Sequence, residues 1–166
     1  MTTIRICKMF LLVSIAFFFT LVAFNNVTDF DSNYQFVRHV LMMDSTFPGN
    51  RGMWRSVRAP WIHLAFYLGI IGWEIVNAVL AWWGSLVLFR SLRKSDIEFQ
   101  RAKQVGVVAL TAGMLQWFVA FLCIGAEWFL MWQSHSWNGQ DAAFRMFVVV
   151  GMVFLIILQP EQENQP

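Results

Sequence analysis

The sequence predicts an all-α protein, a four-helix transmembrane bundle with a short interfacial helix in its first outer loop. Three observations carry that reading. Apolar residues make up 58% of the 166 positions and charged residues only 13%, where a soluble domain carries about 25% charged residues. The apolar residues gather into four stretches, each near the ~20 residues that cross a hydrocarbon core as a helix. Phenylalanine (17) and tryptophan (9) are abundant, and a chain of this size has too little interior to hide so much apolar surface from water. Lipid is therefore its expected solvent, and 1–166 is expected to form one integral membrane domain.

The first stretch spans 4–24. Arg5 and Lys8 ahead of an apolar core resemble a signal peptide. However, the following LVAFNN lacks the small-x-small cleavage pattern, and Phe24 suits a cut site poorly. An uncleaved helix is expected. The outer loop, 25–60, holds Phe36, Val37, Val40 and Leu41 at helical spacing, which places a short helix on the membrane surface. Pro48, Gly49 and Gly52 mark turns after it. The Asn26-Val-Thr28 sequon lies beside the membrane and carries no message there. The second, third and fourth helices are expected at 61–89, 105–132 and 142–158. The Asn138-Gly139 turn joins the last two, and Pro160 stops the fourth. The EQENQP tail is polar and expected to be disordered.

Lys and Arg near the helix ends set orientation. Arg5, Lys8, Arg90, Arg93, Lys94, Arg101 and Lys103 lie at the tip and in the 90–103 loop. Arg38, Arg51, Arg55 and Arg58 share the 25–60 loop with Asp29, Asp31 and Asp44. The expected location is a cell inner membrane, multi-pass, with both termini cytoplasmic. Trp54, Trp61, Trp128, Trp132 and Trp137 then form an outer aromatic belt, answered inside by Trp82 and Trp83. A net charge of +2 without a basic–aromatic face excludes a nucleic-acid partner. Cys7 and Cys123 lack motif spacing and read as small buried hydrophobes.

The second helix carries His63, Tyr67, Ile70, Glu74, Asn77, Ala81 and Ser85 on one face, and the third carries Gly106, Ala109, Gly113, Gln116, Ala120, Cys123 and Glu127. Lipid tails cannot hydrogen-bond, and insertion scales put a charged residue at the helix centre at about 2.5 to 3.5 kcal/mol. The two stripes are therefore expected to face each other in an antiparallel pair, with small residues permitting close approach. Counting the helical rise from each boundary places Glu74 opposite Gln116 near mid-depth. The same count gives Glu127 the depth of Arg145, its expected ion-pair partner, with His63 as the alternative. Glu74 has two open readings. It is a protonated register-fixing group, or a proton, ion or ligand contact.

No HExxH, CxxCH, GxSxG or phosphate-loop motif is present, and the serines and histidines are too scattered for a triad. His39, His63 and His135 sit at or beyond the outer boundary. A pair on facing helices could hold a haem axially, but their spacing favours interfacial hydrogen bonding. No cofactor and no metal are expected. An outer-boundary cofactor or lipid site would draw on His39, His63 and Glu127, and outer-loop contacts on His39, Asp44, Trp54 and Arg55.

SNYQFVRHVLMMDSTFP (Ser32–Pro48), the PWIH that opens the second helix, and EWFLMWQSHSWNGQ (Glu127–Gln140) together resemble a bacterial family of predicted small integral membrane proteins of unknown function. The resemblance implies a four-helix inner-membrane protein and no activity. The expected function is that of a non-enzymatic accessory or interaction subunit, with membrane lipid and a protein partner or second copy as its contacts. A small oligomeric transporter or channel using Glu74 is the alternative.

Overall fold

The computed structural model describes residues 2–161. It is helical throughout its regular structure, with four helices long and apolar enough to cross a membrane. Helix α1 spans Thr2–Thr28, α2 Phe30–Met42, α3 Pro60–Ser91, α4 Asp96–Leu115 and α5 Gln140–Leu158. Helix α4 continues without a break as a π-helical segment, Gln116–Trp128. Short 3-10 turns lie at Arg51–Arg55 and Met131–Gln133.

Local chemistry explains where the helices begin and end. Pro60 occupies the first turn of α3, where its missing N–H costs nothing. Ser95 and Glu98 form a reciprocal capping box at the start of α4. That box starts the helix nine residues before the expected 105, so Arg101 and Lys103 lie on a helix and not in a loop. Hydropathy marks where the chain meets lipid; caps mark where the helix begins. Likewise α1 runs past the apolar limit at Phe24 to Thr28, and Asp29 N–H donates to Asn25 O (2.8 Å) to close it. Helix α3, at 32 residues, is about 48 Å long against a hydrocarbon core of about 30 Å.

The most extensive contact is α1 with α3, followed by α3 with α4. Leu12, Phe19, Ala81, Leu88, Phe99, Leu110, Val150 and Ile157 form the core between the spans. At its waist a Cβ added to Gly84 would lie 2.8 Å from the backbone N of Gly106, and one added to Gly106 would lie 2.7 Å from Leu12 Cδ2. Glycine at 84 lets the backbones of α3 and α4 touch there, and glycine at 106 leaves room for Leu12 of α1 across them. Phe17, Trp83, Val108 and Leu155 face outward, where lipid solvates them.

One end gathers the N-terminal turn, the α3–α4 turn and the α5 C-terminus. The other gathers the 29–59 and 129–139 segments. Between them, Ser45 Oγ donates to Ser134 Oγ (2.7 Å), and Asn50 Nδ2 and Phe47 N donate to Gln133 Oε1 (both 3.2 Å). The short helix expected in the first outer loop is present as α2, but its apolar face is not laid on lipid. Val37, Val40 and Leu41 pack with Tyr67, Ile71, Ala126, Phe129 and Met131 in a second core. Only Asp29, at φ −108° and ψ 54°, separates α2 from α1. That bend folds the helix back over α3 and brings its stripe onto protein.

Candidate functional site

In α3 the structure buries His63, Tyr67, Glu74, Asn77, Ala81 and Ser85 on one face, while Ile70 is half-buried beside Ile71. A regular α-helix brings these positions into line. Glu74, 1% exposed, is the centre of a polar chain across three helices. Asn26 Nδ2 of α1 donates to Glu74 Oε2 (2.7 Å), and Gln116 Nε2 donates to Glu74 Oε1 (3.3 Å). Asn77 Nδ2 in turn donates to Gln116 Oε1 (2.8 Å). Tyr67 Oη donates to the backbone O of Asn26 (2.7 Å), one of the carbonyls that the end of α1 leaves without a helical partner. Both carboxyl oxygens are thus engaged by amide donors. Asn77 Oδ1 and Trp117 Nε1 are buried without a partner among the described residues. Above Glu74 lies a cavity of about 290 Å³, walled by α1, α2, α3, the π segment and the start of α5, with Asn26, Tyr67, Trp117 and Phe121 in its lining.

Asn26 was missed in the sequence because the helix was ended at Phe24. The repeated asparagine just beyond that limit was the signal available. The expected partnership of Glu127 with Arg145 or His63 is not formed. Glu127 and Arg145 are both exposed and share no ion pair among the described residues. His63 is buried, with Nε2 2.8 Å from Val57 O. The physical reason is the π segment. Its i→i+5 bonding takes more residues per turn than an α-helix, so a face extrapolated in α steps beyond Gln116 drifts outward. Cys123 goes with it. Both Cys123 and Cys7 are exposed free thiols and not the buried hydrophobes expected.

At the loop end His39 Nδ1 lies 2.7 Å from Asp44 Oδ2, and the imidazole stacks on Trp137 at 4.5 Å and 8°. Arg55 Nη1 donates to Trp128 O (2.9 Å), and its guanidinium lies 5.7 Å from the Trp54 ring centroid and 5.4 Å from that of Trp128. Trp54 is 75% exposed. His39, His63 and Glu127, named together for an outer-boundary site, share no hydrogen bond or ion pair among the described residues: the first two are held by different partners and the third is exposed.

A second buried polar cluster, at the terminal end, gathers cations whose place in the sequence set the expected orientation. Arg5, Lys8 and Lys103 are 5%, 1% and 2% exposed. Glu161, assigned to a disordered tail, anchors them. Its Oε1 lies 2.7 Å from Lys8 Nζ and 2.6 Å from Lys103 Nζ, and its Oε2 lies 3.5 Å from Arg5 Nε. Residues 162–166 of that tail lie outside the described residues. Lys8 and Lys103 also donate to Gln159 O (2.8 and 2.7 Å), satisfying a carbonyl at the end of α5. Arg5 pairs with Asp96, donates to Leu92 O and Lys94 O, and sits 4.6 Å from the Phe99 ring centroid. Burial pushes the Glu161 carboxyl up, but hydrogen bonds and charge from Lys103 and Lys8 outweigh it and hold the group below the usual carboxylate value.

Comparison with known proteins agrees with the fold. The family described as "Predicted small integral membrane protein (DUF2165)" matches residues 4–160. No curated protein and no solved structure matches the chain. The chain belongs to this family of small integral membrane proteins, whose description names no activity.

Proposed function

From that membership we propose that the protein is a non-enzymatic accessory or interaction subunit of a bacterial inner membrane, with both termini in the cytoplasm. It grips a protein partner or a second copy of itself at the loop end. The observation that carries this reading is the Trp54–Arg55–Trp128 group. Arg55 is held by Trp128 O and by two indole faces, so an exposed tryptophan and its neighbouring cation stand in a fixed geometry. Tryptophan and arginine dominate binding energies at protein interfaces, and a pre-ordered pair loses little entropy on contact. Trp61, at the start of α3, is a further exposed tryptophan at the same end (71%).

The test is purification from the native host in mild detergent, followed by mass spectrometry. Wild-type protein is expected to retain a defined partner or a second copy, which a Trp54→Ala, Arg55→Ala variant loses. Identical retention by the two proteins would remove the reading. Orientation is tested separately with an impermeant thiol reagent on intact cells. With Cys7 and Cys123 replaced by serine, an Asn138→Cys protein is expected to react and an Arg93→Cys protein to stay protected.

The cavity beside Glu74 supports a second reading, a small transporter or channel with this carboxyl in its path. It predicts proton- or ion-dependent flux in liposomes that Glu74→Gln abolishes. Flux unchanged by that substitution sinks it.

A further inference from the structure

The terminal end carries a groove that the interaction reading does not use. It runs between α4 and α5, with Gln100, Arg101, Lys103 and Gln104 at its polar rim and Val108 and Leu158 along its apolar wall. Its volume is about 600 Å³, and a neighbouring hollow of about 450 Å³ shares Gln100 and Arg101 and reaches Asp96 and Glu161. Helical phase explains the layout. Gln100, Arg101 and Gln104 fall within about one turn of each other, and Val108 is one turn further on. Rim and wall are thus successive levels of one surface, about 10 Å from Arg101 to Val108 along the axis.

The charges are unbalanced. Among the described residues, Arg5, Lys8, Lys103 and Arg101 meet only Asp96 and Glu161 at this corner. Glu98, the remaining nearby carboxylate among the described residues, is turned to Ser95 and Lys94. Arg101 is exposed and makes no ion pair or hydrogen bond among the described residues, unlike the three buried cations beside it. Lys103 is fully occupied by Gln100, Gln159 and Glu161, so it contributes field while Arg101 and the amides supply contacts.

We propose that this groove is a binding site for one anionic phospholipid. The phosphate sits on the Arg101 guanidinium with the Gln100 and Gln104 amides beside it, and an acyl chain follows Val108 and Leu158 into the bilayer. The positive surplus among the described residues favours an anionic headgroup over a zwitterionic one, since the carboxylates that line the groove's neighbouring hollow, Asp96 and Glu161, are already paired with Arg5, Lys8 and Lys103. The apolar wall favours a lipid over a free phosphate, because Val108 (55% exposed) and Leu158 (42% exposed) continue the groove on the lipid-facing side. Basic pockets between helices at a membrane boundary recognise such headgroups. The site does not depend on the proposed partner at the opposite end.

The test uses the full-length protein in vesicles of phosphatidylcholine alone or doped with phosphatidylglycerol, followed by native mass spectrometry after extraction. One phosphatidylglycerol is expected to persist on the wild-type protein. Arg101→Ala is expected to lower its retention about fivefold with the unfolding temperature unchanged. Val108→Ser is expected to weaken retention without altering charge, and Arg58→Ala, at the other end, to leave it intact. Equal retention of the two lipids, or retention unaffected by Arg101→Ala, overturns the proposal. Equal competition by soluble glycerol phosphate also overturns it, since it would show a headgroup site without a lipid wall.

Discussion

Two buried polar regions of this bundle solve the same problem in opposite ways. At mid-span, Glu74 is a lone carboxyl among amides, with Asn26, Gln116 and Asn77 forming a chain that includes no cation. At the terminal end, three buried cations converge on Glu161 and Asp96, and nearly every contact is charge-assisted. The difference follows depth. Mid-bundle, a charge must be matched from within the protein, and neutral amides fix helix register at modest energetic consequence. Near the boundary, partial hydration and headgroups lower the cost of charge, so long cationic side chains can tie three helices and a terminal segment together.

The sharpest way to break the contrast is at Glu161. Glu161→Ala leaves Lys8 and Lys103 buried without their carboxylate and is expected to lower stability by about 3 kcal/mol, read as reduced thermal unfolding in detergent. A negligible change would mean that the cluster is hydrated and not a true buried pairing. The same contribution carries a pH signature. The folded-state value of Glu161 is depressed, so its stabilisation is complete above the ordinary carboxylate value and fades as pH falls through the folded one. Wild-type protein should lose this increment on acidification, and Glu161→Gln should show a flatter profile.

Mid-span effects should be smaller. Glu74→Leu strands the Asn26 and Gln116 amides and is expected to cost about 1 to 3 kcal/mol. Glu74→Gln can keep one oxygen acceptor and should cost less than Glu74→Leu in the same melt. The reverse order would mean that both carboxyl oxygens are needed as acceptors and that an amide NH2 facing the Asn26 and Gln116 donors is worse than no acceptor. Smallest is Asn77→Ala, expected at about 0.6 kcal/mol, the average for hydrogen bonds between membrane helices. A loss several times larger would make the amide chain as demanding as the charged cluster.

The sequence made these regions unequally legible. Four spans were visible because apolar stretches of bilayer length have few other uses. The face from His63 to Ser85 was visible because α3 is regular, so steps of three and four translate into one surface. Glu127 and Cys123 were misplaced because nothing in QWFVAFLCIGAEW announces i→i+5 bonding, and the α period carried them to the wrong side. Asn26 and Lys103 were hidden by taking the apolar edge for the helix edge. Glu161 was hidden because a carboxylate after Pro160 looks like tail until α1 and α4 place lysines beside it. Local pattern reports the solvent of a helix well and the neighbours of its ends poorly.

The glycine waist has one further consequence. Gly84 and Gly106 bring two backbones together with Leu12 braced over both, leaving no side-chain cushion between them. Sliding α3 along α4 would drive the adjoining residues, such as Trp83, Ser85, Val105 and Val107, each bearing a Cβ, into that gap, whereas pivoting about it keeps the glycines in place. The waist therefore behaves as a fulcrum, and tilting the long lever of α3 at the loop end would move its other arm, at Arg90 and Ser91, the opposite way.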